Sequence, residues 1–491
     1  MFAIQIEKEE YMKLIKLCLL FVVALTFTNC FEDRDDNAIA ASEINDFIWK
    51  AMNSTYLYKA NVPDLANNRF SSDEQYNAYL SNFSTPESIF ESLIYDRQVV
   101  DRFSFIIPNY IDFQQSQQGI SLSNGLEFNF YYKPGSTTEV FGIIRLVLNN
   151  SVADNLGLQR GQIFDAVDGV PLTENNLSDL LNQNTYTLNF ANYNDNGTPQ
   201  VEDDTIESTS NSINLTKQVY TENPVHQVNI IDLDGENVGY LVYNGFNASF
   251  VEELNAAFAQ FQTNNVQHLV LDLRYNPGGR IDVAAALGSM ITGQFNGQIF
   301  SKLVYNETQQ AANRSYNFVN SYDENPISSL NLNKVYVLTS SRSASASELV
   351  INSLRQYIDV VQIGDYTTGK TQASVTFYDS PDLTPNNINP NHTYALQPLV
   401  ANSINVNDEA VPANGLTPDI ELIETPRNYG VLGNITEPLL AAALLDIQGL
   451  GRYAQPQDEL KIVEKDVNLK PFENGLYLDP DNLNITRLKF D

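Results

Sequence analysis

The chain has 491 residues, with 28 Lys and Arg against 60 Asp and Glu, a formal net charge of −32, 3 His and 2 Cys. At roughly 150 residues per domain this is about three domains, and so acidic a surface repels phosphate backbones and argues against a nucleic-acid partner. Two Cys exclude a disulfide-stapled fold and a Cys-based zinc site, three His leave little for a His-based metal site or a Ser-His triad, and an aromatic content of 11% argues against a largely disordered chain.

From Met12 the chain reads MKLIKLCLLFVVALTFTNC. Lys13 and Lys16 make a basic start, and Leu17 to Phe27 form an apolar run too short for a comfortable spanning helix; together they read as an export signal. Glu7, Glu9 and Glu10 are out of keeping with such a start, which points to Met12 as the first residue of the signal. The run ends at Cys30 and resembles a bacterial lipoprotein signal, in which residues 1–29 are removed and Cys30 is lipidated. Phe27-Thr28-Asn29 depart from the usual small-residue pattern. Glu32-Asp33-Arg34-Asp35-Asp36 reads as a solvated acidic tether over 30–38 and resembles the surface-export signals of Bacteroidetes-type lipoproteins. These resemblances imply a cell-envelope location, with the chain held to the membrane by its N-terminal lipid at the periplasmic face or the outer-membrane surface.

Residues 39–116 read as a helical domain. Ile44, Phe47, Ile48 and Met52 recur at helical spacing, as do Ile89, Leu93 and Ile94, and Thr85-Pro86-Glu87-Ser88 supplies a cap with Pro at the first helical position. No catalytic cluster is visible there. Residues 117–218 read as β-rich, with strands at Leu126 to Tyr132, Val140 to Val147 and Tyr186 to Phe190. Between them, SVADNLGLQRGQIFDAVDGVPL (151–172) places Gly157 and Gly161 around one turn and Asp168-Gly169 at another. This segment resembles a protease-associated PDZ domain, with Gln162 and Asn155 as departures. The resemblance implies capture of a peptide C-terminus by strand addition, with Gly125, Leu126, Glu127 and Phe128 as the binding loop and strand start.

Residues 219–445 alternate strands and helices, which argues an α/β fold: strands at Val238 to Val242, His268 to Leu273, Val335 to Leu338 and Val360 to Ile363, and a helix at Phe250 to Phe261. Residues 446–491 read as a C-terminal extension with Pro and Asn punctuation and no site candidates. In LVLDLRYNPGGR (269–280) an apolar strand runs into Gly278-Gly279 and then an Ala-rich helix. Adjacent glycines allow close backbone approach, and a helix start presents unpaired N–H groups, so this is a candidate oxyanion site. In VYVLTSSRSASASELVINSLRQY (335–357) a strand ends in a turn with five Ser between 340 and 347, ahead of a helix. A nucleophile on such a turn is exposed beside helix N–H groups. In GDYTTGKTQASVTFY (364–378) Lys370 lies between a Gly turn and an apolar run, where burial lowers an amine's pKa toward that of a useful base.

The three segments together resemble the carboxyl-terminal processing peptidases, the tail-specific Ser-Lys proteases of the S41 type, over roughly residues 117–445. That family's motifs "L-D-L-R-x-N-x-G-G", "(T/S)-A-S-A-S-E" and "G-x-x-T-x-G-K" stand here in order at Leu271 to Gly279, Ser343 to Glu348 and Gly364 to Lys370. The resemblance implies a multidomain α/β protein with an N-terminal helical domain, a PDZ-like domain and a crotonase-like catalytic domain. It implies Ser345 as nucleophile, Lys370 as general base, an oxyanion hole from Gly278 or Gly279 with Ala346, polypeptide substrates with accessible C-termini, and no metal or cofactor. Where the family often has an orienting Gln, four positions after the Lys, this chain has Ser374. Gln372 shares a face with Lys370 if the segment is a strand and is the candidate for that role. His226, His268 and His392 are scattered and read as packing or loop residues, and Asp272 with Arg274 as a structural ion pair. The rival readings are an inert peptide-binding scaffold of the same fold and an acyl-transfer enzyme of the crotonase-like type.

Overall fold

The structure, a computed structural model, describes residues 41–451, 460–463 and 476–477. The predicted export signal and Cys30 lie outside the described residues.

The chain opens with helices α1 (Ala41–Thr55), α2 (Asp73–Leu80) and α3 (Pro86–Ser92). The Ser72 side chain caps α2 by accepting from the Gln75 N–H, and Thr85 caps α3 with Pro86 in its first turn. Ile44, Phe47, Ile48 and Met52 of α1, Ile89 of α3, and Leu93 and Ile94 just beyond it are buried as their spacing predicts. They do not close a core of their own. They belong to one apolar cluster with Leu254, Phe258, Leu269 and Leu271 of the α/β region. Further on, Phe105–Ile107 pairs antiparallel with Ala395–Gln397, so the leading segment ends inside the α/β region.

The β-rich part contains β1 (Leu126–Tyr132), β2 (Val140–Val147), β3 (Ile163–Val167), β4 (Thr185–Asn194) and β5 (Thr205–Thr216), antiparallel and adjacent in that order. Asp168 and Gly169 both have positive φ, 51° and 75°, the backbone of a tight hairpin turn, and Val167 pairs with Val170 across it. Strand β1 has β2 on one side only within this sheet. Its other edge receives the chain's own segment 460–463: the Tyr132 N–H donates to the Lys461 carbonyl at 3.0 Å and the Val463 N–H to the Phe130 carbonyl at 2.9 Å. Val463 is buried in the β-rich core.

The α/β region follows with β6 (Val225–Leu233), β7 (Glu236–Tyr243), α4 (Val251–Thr263), β8 (His268–Asp272), α5 (Ile281–Thr292), β9 (Ile299–Tyr305), β10 (Lys334–Thr339), α6 (Ala346–Leu354), β11 (Asp359–Gly364), β12 (Gln372–Ser374), β13 (Leu399–Ile404), β14 (Ile420–Glu421) and α7 (Pro438–Ile447). The main sheet runs β6-β7-β8-β10-β11-β14 and is parallel except for the β6–β7 hairpin. Helices α4, α5 and α6 cover one face and α7 the other. Two covered faces explain why β8 reads as a continuous apolar run rather than an alternating one. A second sheet is ordered Gly279–Arg280, Leu476–Tyr477, β12, β13, β9, Arg314–Asn317.

A buried charge cluster joins the two larger parts. Arg274, with no exposed surface, bonds Asp272 at 2.8 Å, Glu437 at 2.7 Å and Glu424 at 2.7 Å. Arg160, from the turn before β3, reaches across to Glu424 and donates to the Tyr429 carbonyl at 2.9 Å. Burial alone would raise the Glu424 carboxyl, but Arg160 and Arg274 hold it at about 2. The ion pair read for Asp272 and Arg274 is therefore one edge of a larger network. Removing a single partner leaves buried charges uncompensated. Arg274→Met is expected to lower unfolding stability by about 3–5 kcal/mol, measured by urea denaturation; a loss under about 1 kcal/mol would refute the network's role.

Candidate active site

The turn between β10 and α6 is fixed by its own hydroxyls. Ser343 Oγ donates to the Leu273 carbonyl at 2.8 Å, Ser347 Oγ to the Asn276 carbonyl at 3.0 Å, and Ser340 Oγ to the Arg274 carbonyl. Three of the five serines thus strap the turn to the segment after β8, and Ser341 is exposed. Ser345 differs. It is 1% exposed, and its Oγ has no hydrogen-bond partner among the described residues. Its backbone lies at φ 62°, ψ −110°, a conformation that strains any residue with a Cβ. Such strain costs about 1–3 kcal/mol and persists where the surroundings over-determine it.

The Gly278-Gly279 turn lies against Ser345. A Cβ on Gly278 would stand 2.7 Å from Ser345 Cβ and 3.0 Å from Ser345 Oγ, and one on Gly279 would stand 2.4 Å from the Phe246 carbonyl oxygen. Both glycines also have φ values, 114° and 135°, that L side chains rarely adopt. The structure narrows the expected oxyanion set. The Gly278 N–H already donates to Asn276 Oδ1 at 2.9 Å, so that amide is committed within its own turn. The other expected donors are Gly279, which pairs in parallel with Leu476, and Ala346, which opens α6, where the first N–H groups have no intrahelical acceptor.

One carboxylate links the Ser345 turn to the Lys370 turn. Glu348, fully buried in the first turn of α6, accepts from the Ser345 N–H (2.7 Å), Thr367 Oγ1 (2.5 Å), the Gly369 N–H (2.7 Å) and the Lys370 N–H (2.9 Å). Burial pushes its carboxyl up, against the pull of these donors. The sequence reading quoted Glu348 within a motif and gave it no role. Its place three residues after a serine at a helix start was the available signal.

Lys370 is 2% exposed. Burial lowers its amine to about 7, against the opposing fields of Asp101 and Glu348. The Phe103 ring lies 5.2 Å from Lys370 Nζ, and Arg102, 4.7 Å from that same ring, donates to the Ala413 carbonyl at 2.9 Å. Asp101 is held by Tyr56 Oη at 2.7 Å and Ser104 Oγ at 2.6 Å. The leading segment, in which no catalytic cluster was read, therefore supplies the cover over the lysine and a charge that tunes it.

Gln372 does not take the orienting role. Its side chain meets the Tyr58 hydroxyl, and its Oε1, the atom that would accept from an amine, is buried without a hydrogen-bond partner among the described residues. The same-face argument fails because β12 begins at Gln372, so Lys370 precedes the strand. Ser374 instead accepts from the buried Gln397 Nε2 at 3.1 Å. The peptide-binding expectation is also corrected. The Gly125 N–H donates to Ser123 Oγ at 2.9 Å and the Leu126 N–H to Asn124 Oδ1 at 3.2 Å. Glu127 is buried in an ion pair with Arg145, and Phe128 in the β-rich core. These N–H groups have internal acceptors in place of a carboxylate. The C-terminal extension, read as lacking site candidates, places Leu476–Tyr477 beside Gly279–Arg280.

Glu348→Ala strands four buried donors, each worth about 1–3 kcal/mol when left unmade. It is expected to lower unfolding stability by at least about 3 kcal/mol, read by thermal or urea denaturation. A near-neutral result would show that the two turns hold their positions without it.

The sequence model of peptidase family S41 matches residues 237–422, and that of the S41 N-terminal domain matches residues 43–105. A Bacteroides fragilis protein assigned to the S41 proteases superposes with a TM-score of 0.65 at 28% identity, over 82% of this chain and 97% of that one. A carboxyl-terminal-processing protease of Picosynechococcus is 25% identical over 236 residues, 48% of this chain and 51% of the relative. The chloroplastic carboxyl-terminal-processing peptidase 1 of Arabidopsis thaliana is 26% identical over 160 residues, 32% of this chain and 30% of the relative. The matches span about half or less of the length of these curated relatives. The motifs, their geometry around Ser345 and both family matches agree, and the chain belongs to peptidase family S41.

Proposed function

We propose that the chain is a serine endopeptidase that cleaves polypeptides with Ser345 as nucleophile and Lys370 as general base. The observation that carries this reading is that Glu348 ties the turn of a strained, buried Ser345 to the turn of Lys370, a buried lysine whose amine is brought to about 7. Neutral Lys370 accepts the Ser345 proton as Oγ attacks the peptide carbonyl. The oxyanion forms beside the Gly279 and Ala346 N–H groups, and the C–N bond breaks as Lys370 returns the proton to the leaving amine. Water then releases the acyl group by the same route. Bonds between nucleophile and base often tighten only with substrate present, so the unpartnered hydroxyl is compatible with this scheme.

The names of the curated relatives support substrates with accessible C-termini. The resemblance of residues 117–218 to a PDZ domain supports recruitment of peptide C-termini by strand addition. The parallel sheet with helices on both faces supports the crotonase-like reading of the catalytic part. The inert-scaffold alternative draws its support from the displaced Gln, since Ser374 stands at the family's position and Gln372 Oε1 has no hydrogen-bond partner among the described residues.

With an unfolded protein or a C-terminally tagged peptide as substrate, Ser345→Ala is expected to cut the rate by about a thousandfold or more and Lys370→Ala by about 10²–10⁴. Equal rates in all three forms would refute the dyad, and binding without cleavage by the parent would favour the scaffold. The base is the neutral amine, so activity is expected to rise with pH through about 7 and then level off. Because the Asp101 field raises the Lys370 pKa, Asp101→Asn is expected to move that rise to lower pH; an unmoved midpoint would sink the assignment.

A further inference from the structure

Residues 476–477 form a strand between the two halves of the site. Leu476 pairs in parallel with Gly279 and Tyr477 with Arg280, while on its other side Tyr477 pairs in parallel with Ser374. Gly279–Arg280 continue from the turn that lies against Ser345, and Gln372–Ser374 continue from Lys370. The outer edges of both walls are taken. The Arg280 N–H donates to the Phe246 carbonyl at 2.9 Å, the Phe246 N–H to the Gly278 carbonyl at 2.9 Å, and β12 pairs with β13. What remains between the walls is a slot one strand wide, and the chain's own tail stands in it. The same tail adds to the free edge of β1 through residues 460–463.

We infer that this slot receives the extended backbone of a polypeptide substrate, and that residues 476–477 occupy it in cis as a built-in competitor. The inference rests on the hydrolase reading, because a strand laid along Gly279 runs beside the turn that lies against Ser345. A parallel strand is recognised through backbone groups, so the slot selects extended, unfolded chain rather than a particular side chain. Among the described residues the tail holds the slot by the pairings of Leu476 and Tyr477, which a substrate strand can replace. Being tethered, it competes at an effective concentration of about 1 mM, which for a segment with a Kd near 100 μM is about tenfold inhibition.

The test compares the full chain, a chain ending at Val463, and the full chain carrying Leu476→Pro with Tyr477→Pro, which removes the N–H groups a ladder needs. Ending at Val463 keeps the 460–463 segment that pairs with β1 and the buried Val463 side chain. Both altered forms are expected to cleave a short unfolded peptide with kcat/KM about tenfold higher, through a lower KM at unchanged kcat. A synthetic peptide of residues 472–481 is expected to inhibit the chain ending at Val463 competitively. Unchanged kcat/KM in both altered forms, or a rise without inhibition by the added peptide, overturns the inference. If no form cleaves, the hydrolase reading fails and binding decides this one. The labelled peptide must bind the chain ending at Val463 with Ser345→Ala and be excluded by the full-length Ser345→Ala chain, and failure of either overturns it.

Discussion

The site depends on one buried carboxylate. Glu348 has four donors around two oxygens, and those donors come from a helix start and from the loop that delivers the lysine. A buried carboxylate without such donors would be costly. With them, Oε2 holds the Ser345 and Lys370 amides together, and Oε1 holds Thr367 and Gly369 of the lysine loop. The strain at Ser345 becomes tolerable for the same reason: its N–H is held at 2.7 Å, and the straps from Ser340, Ser343 and Ser347 leave the turn no relaxed alternative.

A second constraint follows from the first. Glu348 places Lys370 in the interior, and its charge, like that of Asp101, favours the ammonium form. Burial works the other way and prevails. The lysine is thus balanced between desolvation and two carboxylates, which brings it near neutrality rather than to the far lower values of a lysine buried alone. The aromatic cover from Phe103 completes the exclusion of water on the side of the leading segment.

Much of this was legible in the sequence, and the reason is local. Strands β1 and β2 have the bounds that their apolar runs predict, because strand pattern and turn residues both act over a few positions. The same holds for the strand-to-helix turn at Ser345 and the glycine pair at 278–279. The misses are of another kind. Asp101 and Phe103 lie more than 200 residues from Lys370 along the chain, and nothing near them in sequence marks their destination. Gln372 failed because alternation was applied across a point where no strand had yet begun. At the Gly125 loop, Ser123 and Asn124, to which the sequence reading gave no role, bend back to satisfy two of the amides that a ligand would need. Leu476–Tyr477 is too short to have a period at all.

The cover over Lys370 has a consequence for what counts as the catalytic unit. The S41 match at 237–422 contains Ser345, Glu348, Lys370 and both glycines, yet the side chain that closes over the amine belongs to residue 103. Cut away from the leading helices, the same residues would keep their order while water reached the amine. Hydration would return it toward the pKa of a free lysine, about 10.4, and at neutral pH it would hold its proton. In this protein the charge state of Lys370 depends in part on a segment that shares no motif with it.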